Sequence, residues 1–156
     1  MSVLVRVDDR LVHGQVVVGW GRAMRLRRIV LVDDAISASD WEQELYRMGV
    51  PEGMEIVFTS VTGAADGFAG WDADGDRTLV LVGDVGTLVR LSAVASVTRV
   101  NLGGIHQAEG RRERLPYVFL SDAEAAQLEV LAARGVSITA QAVPTTAPAP
   151  LAEVLR

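Results

Sequence analysis

The sequence predicts an α/β fold: a single domain over residues 1–156 with a mostly parallel central sheet and helices on both faces. Three observations predict it. Short β-branched runs alternate with helix-period segments along the chain. The run 29–32 is continuously apolar, as expected of a strand buried on both faces. A length of 156 residues fits one domain, and 49% hydrophobic against 22% charged residues is enough for a full core.

Residues 3–7 read as the first strand. The stretch 15–24 reads as a helix, which provides a crossover to the second strand at 29–32. Ser39 followed by Glu42 reads as a capping box, opening a helix with Trp41, Leu45 and Met48 on one packed face and Gly49 and Pro51 at its end. Residues 55–60 form the third strand. The Gly- and Asp-rich stretch 66–76 reads as a surface loop or short helix. Residues 78–82 are the fourth strand, followed by a helix over 84–91. A fifth strand covers 97–102 and a short sixth 117–120. Ser121 and Glu124 form a second capping box, with a helix running to Arg134 and Gly135 at its end. The last strand is 136–143, and the Pro- and Thr-rich stretch 144–150 crosses the surface extended. The three tryptophans, Trp20, Trp41 and Trp71, read as core or edge packing.

Composition excludes several chemistries. Cysteine is absent, so there is no disulfide, thiolate metal site or cysteine nucleophile. All 15 basic residues are arginine, which excludes lysine-based phosphate loops and Schiff-base chemistry. A net charge of −5 with only two short arginine clusters, 25–28 and 111–114, argues against nucleic acid as a partner. No stretch reaches the ~20 apolar residues of a membrane span, and residues 1–6 lack signal-peptide features. A cytoplasmic protein is the expectation.

In parallel α/β sheets, ligands bind beyond the carboxyl ends of the strands. This rule selects 8–15, Asp33–Asp34, Gly83–Asp84 and 103–107. The first is the densest polar cluster: Asp8, Asp9, Arg10, His13, Gly14 and Gln15. An imidazole is largely neutral and nucleophilic just above pH 7, a nearby arginine disfavours its protonation, and a guanidinium grips phosphate bidentately. A helix beginning near Gln15 aims unpaired N–H groups at an anion. These parts suit a histidine that accepts a phosphoryl group. They also suit a surface histidine beside a local Asp9–Arg10 ion pair, or a metal held by Asp8, Asp9 and His13. His106, after the glycine pair 103–104, reads either as lining the same cleft or as simply exposed, the second being favoured, and Asp84 reads as a helix cap.

The run Arg6-Val7-Asp8-Asp9-Arg10-Leu11-Val12-His13-Gly14-Gln15-Val16, with Trp20 beyond it, resembles the IIB component of the mannose/fructose/sorbose family of the phosphoenolpyruvate-dependent sugar phosphotransferase system. The Asn101-Leu102-Gly103-Gly104 turn and Gln141-Ala142-Val143-Pro144 resemble it in order.

The resemblance implies a protein-N(pi)-phosphohistidine–sugar phosphotransferase. His13 would be the phosphoryl carrier. Arg10 would clamp the phosphate together with backbone N–H groups at Gly14 and Gln15, and Asp9 would orient Arg10 or His13. Asp8, Asp34, Asp84, Asn101, Gly103 and Gly104 would line the cleft. The implied partners are a IIA phosphoryl donor, membrane IIC and IID permease subunits and a sugar. No cofactor or metal is implied, and the location would be the inner face of the membrane. The alternative is a regulatory module whose phosphohistidine is read by a partner without sugar transport.

Overall fold

The computed structural model describes residues 3–75 and 77–156. Met1 and Ser2, at the start of the terminus read above, and Asp76, at the end of the predicted 66–76 loop, lie outside the described residues.

The strands are β1 (Val3–Val7), β2 (Arg28–Val32), β3 (Glu55–Thr59), β4 (Thr78–Val82), β5 (Arg99–Leu102), β6 (Arg112–Leu115), β7 (Val118–Leu120), β8 (Ser137–Ala140) and β9 (Ala149–Pro150). Among the described residues one sheet runs in the order β3-β2-β4-β1-β5-β8-β9, and β6 and β7 form a separate antiparallel pair. Every pairing in the larger sheet is parallel except β8 with β9. The central strands read as apolar runs because both of their faces are covered.

The chain after β1 winds into a helix in two stretches, a wide Gln15–Trp20 and an α-helical Gly21–Met24, here together called α1. The other helices are α2 (Asp34–Ser37), α3 (Asp40–Met48), α4 (Val61–Ala73), α5 (Val85–Val94), α6 (Asp122–Ala133) and α7 (Leu151–Leu155). On one face of the sheet, Val16, Val17 and Trp20 of α1 and Tyr46 of α3 cover Ile29, Leu31, Leu79 and Leu81. On the other, α4, α5 and α6 place Ala64, Phe68, Leu88, Leu91, Leu128 and Leu131 against Val5, Val7, Val30 and Val80. The adjacent strands β1 and β5 thus send their following helices to opposite faces. This opens a crevice at their carboxyl ends, the usual ligand position in such sheets.

Four expectations are corrected. The Gly- and Asp-rich stretch is mostly α4, a 13-residue helix capped by Ser60, whose hydroxyl accepts from Gly63 N–H at 3.0 Å. Val61, Ala64 and Phe68 give it a buried face, and Gly67 leaves room for the Trp71 ring one turn on. At α3, Ser39 stands at the N-cap but its side chain caps nothing. The short α2 just before it engages the Ser39 N–H through the Ile36 carbonyl, so Glu42 cannot complete the box. Because α3 turns Tyr46 to the core, Trp41, Leu45 and Met48 are exposed instead of packed. The arginine-rich 112–115, to which the sequence reading assigns no element, is a strand pairing with β7. The stretch after Pro144 is not simply extended: Ala149 and Pro150 pair with β8, and α7 buries Val154. The capping box at Ser121 and Glu124 forms as expected.

Candidate functional site

Strand parity builds the site. Side chains alternate along β1, so Arg6 and Asp8 point to the α1 side and Asp9 points away. The sheet ladder runs on past β1: Asp8 N–H donates to the Val82 carbonyl at 3.0 Å and Asp9 N–H to the Gly104 carbonyl at 2.9 Å. The chain then turns sharply. Leu11 N–H returns to the Asp8 carbonyl at 3.0 Å, and Leu11 itself takes φ +58°. A leucine in the left-handed region costs about 1–2 kcal/mol, and such backbone strain concentrates at functional sites. Here it brings Arg10 back over Asp8, while the Leu11 side chain is buried near Gly83.

Asp8 is the hub. Its Oδ1 accepts from Arg10 N–H at 3.1 Å and Arg10 Nε at 3.2 Å. Its Oδ2 accepts from an Arg10 terminal nitrogen and from Arg6, both at 3.3 Å, and lies 3.4 Å from His13 Nε2. Side-chain exposure is 0% for Asp8, 1% for Arg6, 19% for His13 and 39% for Arg10. The carboxylate is therefore sealed in, while the imidazole and one guanidinium reach the surface. Arg10 also donates to Gln15 Oε1 at 3.4 Å.

Burial alone would raise the Asp8 carboxyl. The side-chain and backbone hydrogen bonds from Arg10 and the charges of Arg6 and Arg10 outweigh it and hold Asp8 below its ordinary value. His13 shifts down from 6.5, first because burial penalises the imidazolium; Asp8 opposes this, and Arg10 and Arg6 reinforce it. An ionised Asp8 facing Nε2 selects the tautomer with the proton on Nε2, which leaves the Nδ1 lone pair free. Two guanidinium groups against one carboxylate leave a net positive charge beside a neutral imidazole.

The helix entry lies next to His13. The bond from Val17 N–H to the His13 carbonyl, at 3.0 Å, opens the helical ladder, and the N–H groups of Gly14, Gln15 and Val16 precede it. No atom stands within 4 Å of where a Gly14 Cβ would be, so space is open there.

Other candidate residues lie elsewhere or act differently. The carboxylate against Arg10 and His13 is Asp8, not Asp9. Asp9 is turned toward the loop after β5, where its oxygens accept from His106 N–H at 2.7 Å and meet His106 Nδ1 at 2.6 Å. His106 is exposed, as expected, but tied to the His13 loop through Asp9. Asn101 is buried and lines no cleft: it accepts from Arg6 and donates to Thr139 Oγ1. Gly103 packs against the Arg6 guanidinium, and Gly104 lies close to Arg10 and Asp8. Asp34 binds Val61 N–H and Arg90 instead. Asp84 caps α5 through Thr87 N–H at 2.7 Å. Among the described residues no group of three His, Asp or Glu is placed to hold a metal, and no helix is long and apolar enough to cross a membrane.

Sequence reasoning gave no role to Arg6 or Gln141. Arg6 donates to Asn101 Oδ1, to the Gln141 carbonyl at 2.9 Å and to the Ala142 carbonyl at 3.1 Å, and stacks 4.6 Å above the Trp20 ring. The available signal was an arginine inside an apolar strand, two residues before an aspartate.

Residues 2–156 match the family model described as PTS system sorbose subfamily IIB component. The chain is 26% identical over 155 residues to the PTS system fructose-specific EIIB component of Bacillus subtilis, covering 99% of this chain and 95% of that protein. It is 27% identical over 143 residues to the PTS system mannose-specific EIIAB component of Escherichia coli, covering 91% of this chain and 44% of that longer protein. The crystal structure of the N-acetylgalactosamine-specific IIB component 1 from Escherichia coli superposes with a TM-score of 0.86 at 27% identity, covering 94% of this chain and 97% of that one. With its histidine loop set at the β1–β5 crevice of this shared fold, the chain belongs to the sorbose subfamily of phosphotransferase-system IIB components.

Proposed function

We propose that this chain carries a phosphoryl group on His13 Nδ1, taken from a phosphohistidine on a IIA protein and passed to a sugar at membrane IIC and IID subunits. One observation carries the reading: a fully buried Asp8 faces His13 Nε2 while gripping Arg10, which is itself partly exposed. The neutral imidazole attacks phosphorus through Nδ1. The new Nδ1–P bond forms as the donor's N–P bond breaks, and the positive charge left on the ring is stabilised by Asp8 against Nε2–H. In the second step a sugar hydroxyl oxygen attacks phosphorus, the Nδ1–P bond breaks, and the hydroxyl proton passes to solvent.

Arg10 and the N–H groups at Gly14 and Gln15 hold the transferring oxygens, whose negative charge peaks in the transition state. Positioning and charge suffice, so the reading routes no step through a metal or cofactor. The relative named EIIAB joins both letters in one chain, which supports a IIA-type donor for this chain. The whole chain acts as one unit on the cytoplasmic side, where donor and permease meet.

The test is intact mass after incubation with phosphoenolpyruvate, the general phosphotransferase proteins and a IIA donor from the same host. The expected result is a gain of one acid-labile phosphoryl group that His13→Ala abolishes. No gain, or a gain retained in the variant, would overturn the reading.

A further inference from the structure

We infer that Arg6, which touches neither solvent nor the reacting nitrogen, is a positioning residue for phosphoryl transfer: through Asp8 it sets the aim of both His13 and Arg10. The inference rests on the phosphocarrier reading of His13.

The geometry is that of a built support. Arg6 is 1% exposed in the middle of β1, where an apolar residue would be expected. Its terminal nitrogens donate to Asn101 Oδ1 and to the carbonyls of Gln141 and Ala142, so the guanidinium is fixed by two distant segments of chain. A fourth bond from the terminal nitrogens goes to Asp8 Oδ2, the same oxygen that faces His13 Nε2, while Arg6 Nε has no partner among the described residues. Gly103 makes the arrangement possible, since a Cβ there would overlap the guanidinium. A buried ion pair is a poor way to gain stability, because desolvation offsets the attraction. It is a good way to hold one carboxylate oxygen still. Supporting hydrogen bonds of this kind keep an acting group within the narrow tolerance that transfer requires.

The charged and titratable groups facing the cluster are Asp8, Arg10 and His13 from the loop after β1 and Tyr117 from before β7. Arg6 pushes the imidazole pKa down, so its removal raises the midpoint at which His13 becomes neutral.

Three chains are compared: wild type, Arg6→Met and Gly103→Ala, the last keeping the arginine but displacing it. Two readouts are taken on each: the His13 imidazole titration by NMR without any donor, and the phosphoryl-acceptance rate per folded molecule across pH. The expected result is at least a tenfold slower rate in both variants, with the His13 midpoint raised in Arg6→Met. Arg6→Lys, which keeps the charge but loses the fork, should restore the midpoint and only part of the rate. Variants with lower melting temperatures but wild-type rate and midpoint in the folded fraction would overturn the inference and leave the carrier reading standing. A wild type that accepts no phosphoryl group would overturn the carrier reading, and an unmoved His13 midpoint in Arg6→Met would overturn the inference independently. Should Arg6→Met fail to fold, Gly103→Ala and Arg6→Lys decide the matter by the same two readouts.

Discussion

Asp8 Oδ2 lies 3.4 Å from His13 Nε2 and, in the same carboxylate, Oδ1 lies 3.2 Å from Arg10 Nε. One buried side chain therefore fixes both the imidazole that would react and the guanidinium that would receive the phosphate. The arrangement places Nε2 on the protein side and leaves Nδ1 for chemistry.

The first expected outcome concerns pH. In the proposed reaction only neutral His13 would attack phosphorus, so acceptance should fall as pH drops through the folded-state pKa. Burial, Arg10 and Arg6 all lower that pKa below the ordinary 6.5, so acceptance persists below pH 6.5. Asp8 acts in the opposite direction, by stabilising the imidazolium. Asp8→Asn should therefore move the midpoint further down while slowing the reaction, because Arg10 loses its anchor. Acceptance rates measured from pH 5 to 8 on both chains check the sign; a midpoint above 6.5 in the wild type contradicts it.

Arg10 is the second case. It is partly exposed and outside the core, so Arg10→Lys should leave the melting temperature nearly unchanged. Losing a bidentate clamp on a charged group removes about 1.5–3 kcal/mol, so acceptance should slow about 10- to 100-fold. Single-turnover kinetics against a phosphorylated donor give the number.

Asp84 separates a cap from a cleft residue. Its carboxylate binds Thr87 N–H at 2.7 Å at the start of α5. Asp84→Ala should cost about 1 kcal/mol, a fall of roughly 2–4 °C in Tm for a chain of this size, with acceptance unchanged. A large loss of acceptance at normal stability would return Asp84 to the site.

His106→Ala removes the partner of Asp9 at the rim. An exposed side-chain contact contributes little, so the rate should change by no more than about fivefold. A larger loss would give His106 a direct part in transfer.

Trp41 offers a check on the fold itself. It is exposed on α3, whereas Trp20 is buried under Arg6. Trp41→Phe should remove most of the acrylamide-quenchable fluorescence.

The sequence carried the sheet because parallel strands buried on both faces leave an apolar run, as at 29–32 and 79–82. It carried the histidine loop because Asp8 to Gln15 concentrates charge immediately after a strand. Local composition misled at α4, where glycine and aspartate suggest a loop but Val61, Ala64 and Phe68 share a face. It misled at α3, where a three-residue amphipathic spacing shows that a face exists but not which way it points. Which of the two neighbouring carboxylates, Asp8 or Asp9, turns toward His13 is not legible locally: it depends on the residue at which β1 ends and on the ladder bonds of Asp8 and Asp9 to different strands. Arg6 stayed hidden because its partners, Asn101, Gln141 and Ala142, are about a hundred residues away or more.

The most direct measurement is the site of the phosphoryl group on the imidazole. Long-range proton–nitrogen NMR of the phosphorylated, nitrogen-15-labelled protein distinguishes the two ring nitrogens and the two histidines. Phosphorus on Nδ1 of His13, with a proton retained on Nε2, is the expected result. Phosphorus on Nε2, or on His106, would contradict the account, because Asp8 would then be facing the nitrogen that reacts or guarding one that does not.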